Sequence, residues 1–199
     1  MKIIIVGGEG TIGTKVSSYF SENHEVITAG RTCGDVNVDI TDSDSIKSMF
    51  ESIGEVDAII NIAGEAKWGN FNELSEEDYE IGLKSKLMGQ INLVRIGKDY
   101  LSPNGSITLT TGILGEIPVN LTVSPAIVNG GIMSFVKAVV LEIENGIRVN
   151  AVSPGLVEDS VEKYGEYFPG HTPVTMDAVV KGYAQSVEGS ETGEVICVY

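Results

Sequence analysis

Met1-Lys-Ile-Ile-Ile-Val-Gly-Gly-Glu-Gly-Thr-Ile-Gly-Thr-Lys-Val-Ser-Ser-Tyr-Phe20 opens the chain, and its fold can be read from there. The run Ile3 to Val6 has no polar alternation and stops at Gly7-Gly8, as a strand covered on both faces does. Glycines at 7, 10 and 13 allow a tight turn, close approach of the backbone to a pyrophosphate, and close packing of the following helix on the sheet. Ile12, Val16 and Phe20 give that helix its apolar face. The first amides of the helix would meet the phosphates, so the cradle of Gly7, Glu9, Gly10, Thr11, Ile12 and Gly13 needs no cationic side chain. A P-loop is excluded because Thr14 stands where that motif requires lysine. The plainer alternative is a strand-turn-helix rich in glycine.

Outward from this stretch, 199 residues with 42% hydrophobic content suit one domain with one large core, residues 1–199. No linker, repeat or low-complexity tract divides the chain. A net charge of −15 disfavours nucleic acid and anionic membrane surfaces as partners. The first apolar segment is too short for a membrane span and lacks the form of a signal peptide, so a cytoplasmic location is expected. Cys33 and Cys197 are too few and too far apart for a disulfide framework, and His24 and His171 have no second ligand at metal-binding spacing. No metal site is expected, and both histidines read as surface residues.

Glu25 to Ala29 reads as a second strand, followed by Gly30-Arg31-Thr32. Arg31 lies 31 − 13 = 18 residues past the last cradle glycine, near the position of a ribose-reading group. A guanidinium there suits a 2′-phosphate, pointing to NADP(H) over NAD(H); the competing view is a solvated surface arginine. Val36 to Ile40 and Val56 to Ile62 are further strands, separated by a helix that starts in Thr41-Asp-Ser-Asp-Ser45 and runs through Glu51. Strand and helix thus alternate, as in a doubly wound sheet whose ligands sit beyond the strand ends.

Periodicity predicts a helix over Leu74 to Leu101 with a start signal at Ser75, a turn at Pro103-Asn-Gly105, and a strand over Ser106 to Thr110. A second long helix is predicted over Ala126 to Glu144, apolar on more than one side, so that either a second subunit or the chain itself must cover it. Ile147 to Val152 is a strand, Met176 to Val187 a helix and Glu194 to Val198 the last strand. The irregular 156–173 stretch, with Tyr164, Tyr167 and Phe168, suits a lid over a site.

Taken together, Gly7-x-x-Gly10-x-x-Gly13, Gly30-Arg31, Val38-Asp39, Asn61-Ile-Ala-Gly64 and above all Gly146-Ile-Arg-Val-Asn-Ala-Val-Ser-Pro-Gly155 resemble the short-chain dehydrogenase/reductase family over almost the whole chain. The resemblance implies an α/β Rossmann-type fold, a doubly wound parallel sheet in three layers, with homodimer or homotetramer contacts through the two long helices. It implies further that Asp39 and Ile40 border the adenine and that Asn61, Ala63 and Gly64 line the adenosine-ribose side. Pro154, Gly155 and Val157 would flank the nicotinamide, and Arg31 and Thr32 the ribose of the adenosine.

That family's catalytic set is Asn, Ser, Tyr and Lys. An ungapped alignment anchored on Ser106-Ile107 and Ser134-Phe135 puts Lys86, Gly112, Pro125 and Asn129 at the four positions. Gly112 and Pro125 have no proton to give. Lysine and asparagine have exchanged places, which nominates Lys86, Asn129 and the neighbouring hydroxyls of Thr111 and Ser124 as catalytic candidates; Tyr164 and Tyr167 are alternative proton sources. The leading expectation is an NADP(H)-dependent oxidoreductase acting on a small organic substrate. A non-catalytic NADP(H)-binding protein and an isomerase that uses the dinucleotide transiently stand beside it.

Overall fold

The computed structural model describes all 199 residues as seven parallel strands with helices on both faces. Strands are β1 (Lys2–Val6), β2 (Glu25–Gly30), β3 (Val36–Asn37), β4 (Val56–Asn61), β5 (Leu101–Thr110), β6 (Arg148–Pro154) and β7 (Val195–Val198). Helices are α1 (Thr11–Ser21), α2 (Ser43–Ile53), α3 (Glu76–Gly82), α4 (Gly89–Gly97), α5 (Val123–Val139), α6 (Val161–Tyr164) and α7 (Met176–Glu188). The sheet order is β3-β2-β1-β4-β5-β6-β7, so its direction of growth reverses between β1 and β4. Carboxyl ends at such a reversal leave a crevice between the diverging connections.

Period-two alternation on β1 divides the core. Ile4 and Val6 join Phe50, Leu93, Ile132 and Val149 beneath α2, α4 and α5, whereas Ile3 and Ile5 join Val16, Phe20, Val179 and Tyr183 beneath α1 and α7. Ile3, Ile4, Ile5 and Val6 are at most 1% exposed, which explains why β1 carries no polar position after Lys2.

Boundaries differ from expectation in several places, β3 ending at Asn37 short of the expected Ile40 among them. The predicted turn at Pro103-Asn-Gly105 is a bulge inside β5: Val56 pairs with Leu101 and Ala58 with Ser106, leaving Ser102 to Gly105 looped out. α5 starts three residues early, because Pro125 lies in its first turn, where no amide is required, and it ends at Val139 ahead of the left-handed Asn145-Gly146 pair. The predicted 74–101 helix is α3 and α4 joined by a π-helical turn, Leu83–Met88, and closed by a short 3₁₀ turn. Ser75 caps α3 reciprocally with Asp78, and Asp42 caps α2. His24 is half-buried against Phe20 and Glu188, a correction to its reading as a plain surface residue.

No helix is long and apolar enough to cross a membrane. The 156–173 segment consists of short helical turns whose ends are pinned together by a Val157–Val174 bridge. It packs Leu156 and Phe168 on Ile113 and Leu114.

Candidate active site

The crevice begins with backbone geometry. Gly7 has φ +83°, a region that β-carbon crowding denies to other residues. A Cβ on Gly13 would run into the Gly7 carbonyl. Gly10 precedes α1 as its N-cap and offers no side chain to cap it, so the leading amides of the helix keep donors to offer. Gly7, Glu9, Gly10, Thr11 and Ile12 line a cavity of about 500 Å³ together with Ala63, Gly64, Val157 and, unforeseen from the sequence, Cys33. A cavity that exists because glycines withhold side chains, facing an uncapped helix amino terminus, fits a dinucleotide pyrophosphate.

A neighbouring cavity of about 190 Å³ continues over β2 and β3, lined by Arg31, Asp39, Ile40, Ala63, Gly64 and also by Glu65 and Ser85. Asp39 accepts from the Thr41 hydroxyl at 2.7 Å and the Thr41 amide at 2.9 Å. These bonds, and secondarily the charge of Arg31, hold its carboxyl below the usual range. Arg31 is largely exposed and lies 3.8 Å from Glu65, a loose surface pair worth little by itself.

Two expected contacts do not line these walls. Thr32 is exposed outside both cavities. Asn61 is fully buried beneath the crevice, where its amide donates to the Ala63 carbonyl at 2.8 Å and braces the turn above. It is the last residue of β4, and its side-chain amide oxygen has no partner. Its carbonyl accepts from the Thr110 hydroxyl at 2.5 Å; with that proton committed, Tyr183 must be the donor in its 2.7 Å contact with Thr110. Gln90 adds two 2.9 Å bonds to the Thr110 backbone. The end of β5 is thereby held from both faces of the sheet, which steadies Thr111 and Gly112 just beyond it.

The chemistry-bearing end lies there. Lys86, Thr111, Gly112 and Asn129 line one cavity of about 220 Å³ with Pro154, Gly155 and Val157. Lys86 comes from the π-helical turn, which docks on the loop after β4: a Cβ on Gly64 would lie 2.9 Å from the Lys86 Cα, and the Glu65 amide donates to the Ser85 hydroxyl at 3.2 Å. Such turns widen a helix locally and re-aim its side chains, and they recur at functional sites. Lys86 is half-buried and joins none of the ion pairs in the chain. Loss of hydration lowers its ammonium to about 8.

Asn129 enters from α5, 4% exposed, with its amide oxygen lacking any partner. Buried oxygens of Asn61, Tyr79, Ser124 and Ser153 are unpartnered as well, but Asn129 is the one of these residues that lines the cavity. The Thr111 hydroxyl instead donates to the Asn129 backbone carbonyl at 2.9 Å and is committed to α5. Ser124, 1% exposed, lies in the first turn of α5 outside the cavity walls, its hydroxyl without a hydrogen-bond partner.

Trp68 was not anticipated. It stands on the loop between β4 and α3, lines the same cavity, and stacks on Tyr164 with ring centroids 5.0 Å apart. Its signal in the sequence was slight: a large aromatic in a stretch with neither helical nor strand periodicity. Tyr164 borders both the 500 Å³ and the 220 Å³ cavities, whereas Tyr167 lines neither.

Known proteins share this fold. A family described as enoyl-(acyl carrier protein) reductase matches residues 14–185. Oxidoreductase UcpA of Salmonella typhimurium is 27% identical over 136 residues, covering 64% of this chain and 52% of that protein. The 3-oxoacyl-[acyl-carrier-protein] reductase FabG of Thermotoga maritima is 28% identical over 128 residues, 61% of this chain and 52% of that one, so the chain matches about half the length of these relatives. Protein lin1944 from Listeria innocua has the same structure at TM-score 0.98, with 45% identity over 100% of both chains. A small-chain dehydrogenase in complex with NADPH matches at TM-score 0.88 and 28% identity, over 100% of this chain and 96% of that one. With sequence similarity running from the first helix into the last and a structural likeness over the full length, the chain belongs to the short-chain dehydrogenase/reductase family, whose members bind a nicotinamide cofactor.

Proposed function

We propose that the protein is an NADP(H)-dependent oxidoreductase in which Lys86 is the proton donor for a small carbonyl substrate. The observation that carries this reading is that Lys86 and Asn129, from helices far apart in sequence, meet in one cavity beside Pro154 to Val157. When bound, the dinucleotide supplies or accepts hydride. The chain supplies the remainder. Backbone amides of the cradle hold the pyrophosphate, Arg31 faces the adenosine ribose, and Pro154, Gly155 and Val157 form the wall beside the nicotinamide. An ammonium titrating at about 8 is mostly charged at neutral pH yet acidic enough to give its proton to a developing alkoxide. Thr111 acts through Asn129, steadying α5 instead of donating to substrate.

Preference for NADP(H) rests on Arg31 and on the NADPH-bound relative. Glu65 and Asp39 share that cavity and oppose a second phosphate, so NAD(H) is the competing cofactor. The exposed apolar side chains Ile81, Met88, Val123 and Ile127 on α3 to α5 are the faces a second copy would cover; sedimentation should give a dimer or tetramer.

A non-catalytic NADP(H)-binding protein is the second reading, favoured by Gly112 and Pro125 at positions where the family resemblance expects hydroxyl groups. Calorimetry with NADPH and NADH, followed by NADPH consumption against aldehydes, ketones, quinones and enones, separates the two. Tight NADPH binding with turnover supports the oxidoreductase. Binding without any consumption supports the second reading, and no binding of either dinucleotide removes both.

A further inference from the structure

The cavity beside the cofactor crevice has two lobes. An outer lobe of about 320 Å³, bordered by Ala66 and Pro125, adjoins the 220 Å³ inner one, and Trp68, Lys86, Leu114, Asn129 and Tyr164 belong to both walls. Proline at 125 is compact, so it leaves the outer lobe open. In the inner lobe Lys86 is the only charged residue, set against Ile113, Leu156 and Phe168.

Trp68 stands at the junction of the lobes. Its indole is stacked on Tyr164 at 5.0 Å and 25°, and meets Tyr167 edge-on at 5.6 Å and 66°. The Trp68 loop and the 156–173 segment both contribute to the walls of the cavity, and this stack joins them there. Anything that enters between them gives up an aromatic contact, and only another flat ring replaces it in kind.

We infer that the substrate is a planar aromatic carbonyl compound whose ring takes the place of Tyr164 on the face of Trp68, with its carbonyl oxygen toward Lys86. This rests on the reading of Lys86 as proton donor. In the reductive direction the carbonyl carbon gains hydride from the reduced dinucleotide, and the electron pair of the carbonyl π bond moves onto oxygen. Oxygen then takes a proton from Lys86 Nζ. The products are the aryl alcohol, the oxidised dinucleotide and a neutral amine that regains its proton from water.

Trp68 is the only tryptophan, so its emission reports on this contact directly. The test uses benzaldehyde and cyclohexanecarbaldehyde, alike in functional group and close in size, on the full chain with NADPH. Wild-type kcat/KM should favour benzaldehyde by about tenfold, and benzaldehyde with NADP⁺ bound should quench Trp68 emission while the aliphatic aldehyde does not. Trp68→Ala should collapse the preference, and Trp68→Phe should restore most of it because a ring remains. Equal kcat/KM for the two aldehydes, equal quenching, or a preference that survives Trp68→Ala overturns the inference. Should the variants fail to fold, the wild-type rate and quenching comparisons decide it alone. NADPH titration of the same samples keeps the two proposals apart. Loss of cofactor binding to wild-type protein sinks the oxidoreductase reading, whereas intact NADPH binding and turnover without aromatic preference sinks only this one.

Discussion

The two ends of the crevice are built from different materials. The cradle between β1 and α1 is a matter of backbone: glycines that open space, one positive φ, and amides at an uncapped helix start. The end beneath the 156–173 segment is a matter of side chains brought from the loop after β5, the π-helical turn, α5 and other loops. Backbone sites are specified by short contiguous motifs, because the groups that bind lie within one turn of each other. Side-chain sites are specified by packing, and each group can be exchanged for another that reaches the same point from a different element. Lys86 and Asn129 illustrate that freedom.

The sharpest way to break this contrast is at the cradle. Gly13→Val puts a branched side chain where even a Cβ meets the Gly7 carbonyl. It should cost about 1–3 kcal/mol of stability through overpacking and lower dinucleotide affinity by about 100-fold or more. Urea unfolding and calorimetry measure both. Retention of wild-type affinity would show that the backbone does not form the cradle.

At the other end, Lys86→Met should lower kcat/KM for carbonyl reduction by about 100-fold while leaving the fold intact. The pH profile carries the same information. Lys86 holds its proton below about 8, so reduction should be level at lower pH and fall as pH rises through about 8; oxidation of the alcohol should rise over the same range. The variant should lose this inflection. A profile unchanged in Lys86→Met assigns the proton to another group, with Tyr164 the nearest alternative.

Stability should move the opposite way. Because the folded-state pKa of Lys86 is depressed to about 8 from 10.5, the unfolded chain binds more protons between these values, and stability attributable to this group rises with pH across that window. Below it the buried charge costs up to about 3 kcal/mol. Lys86→Met should therefore be more stable than wild type at pH 7 and lose that advantage toward pH 10. Chemical denaturation at both pH values checks it, and a cavity-lining residue whose removal stabilises the fold would sharpen the difference from Gly13.

The smallest effect is expected at Arg31. Arg31→Ala should weaken NADPH by about tenfold and leave NADH unaffected, as loss of one charge-assisted contact predicts. Competitive titration of the two dinucleotides reads the ratio; equal weakening of both would remove Arg31 from cofactor choice.

Much of the fold was legible because hydrophobic period and turn chemistry are local. The apolar run of β1, the glycine spacing after it, the Ser75 cap and the alternation of strands with helices each declared themselves within a dozen residues. Misreadings fell where distant contacts overruled a local signal. Pro103-Asn-Gly105 has turn composition, yet β4 pairs on either side of it and absorbs it as a bulge. Asn61 has the position of a ligand-facing residue, yet it is fully buried and its amide braces the Ala63 carbonyl.

From the order of residues alone come the doubly wound architecture and the glycine turn that reads as a phosphate cradle, since each depends on neighbours along the chain; the family resemblance adds the changed identities at positions 86, 112, 125 and 129. Folding in three dimensions was needed to separate Lys86 and Asn129, which share a cavity, from Ser124, which lies outside its walls, and to bring Trp68 onto Tyr164 across 96 residues of sequence (164 − 68). Which side chains converge is a property of crossings between remote elements, and no local periodicity encodes where two such elements meet.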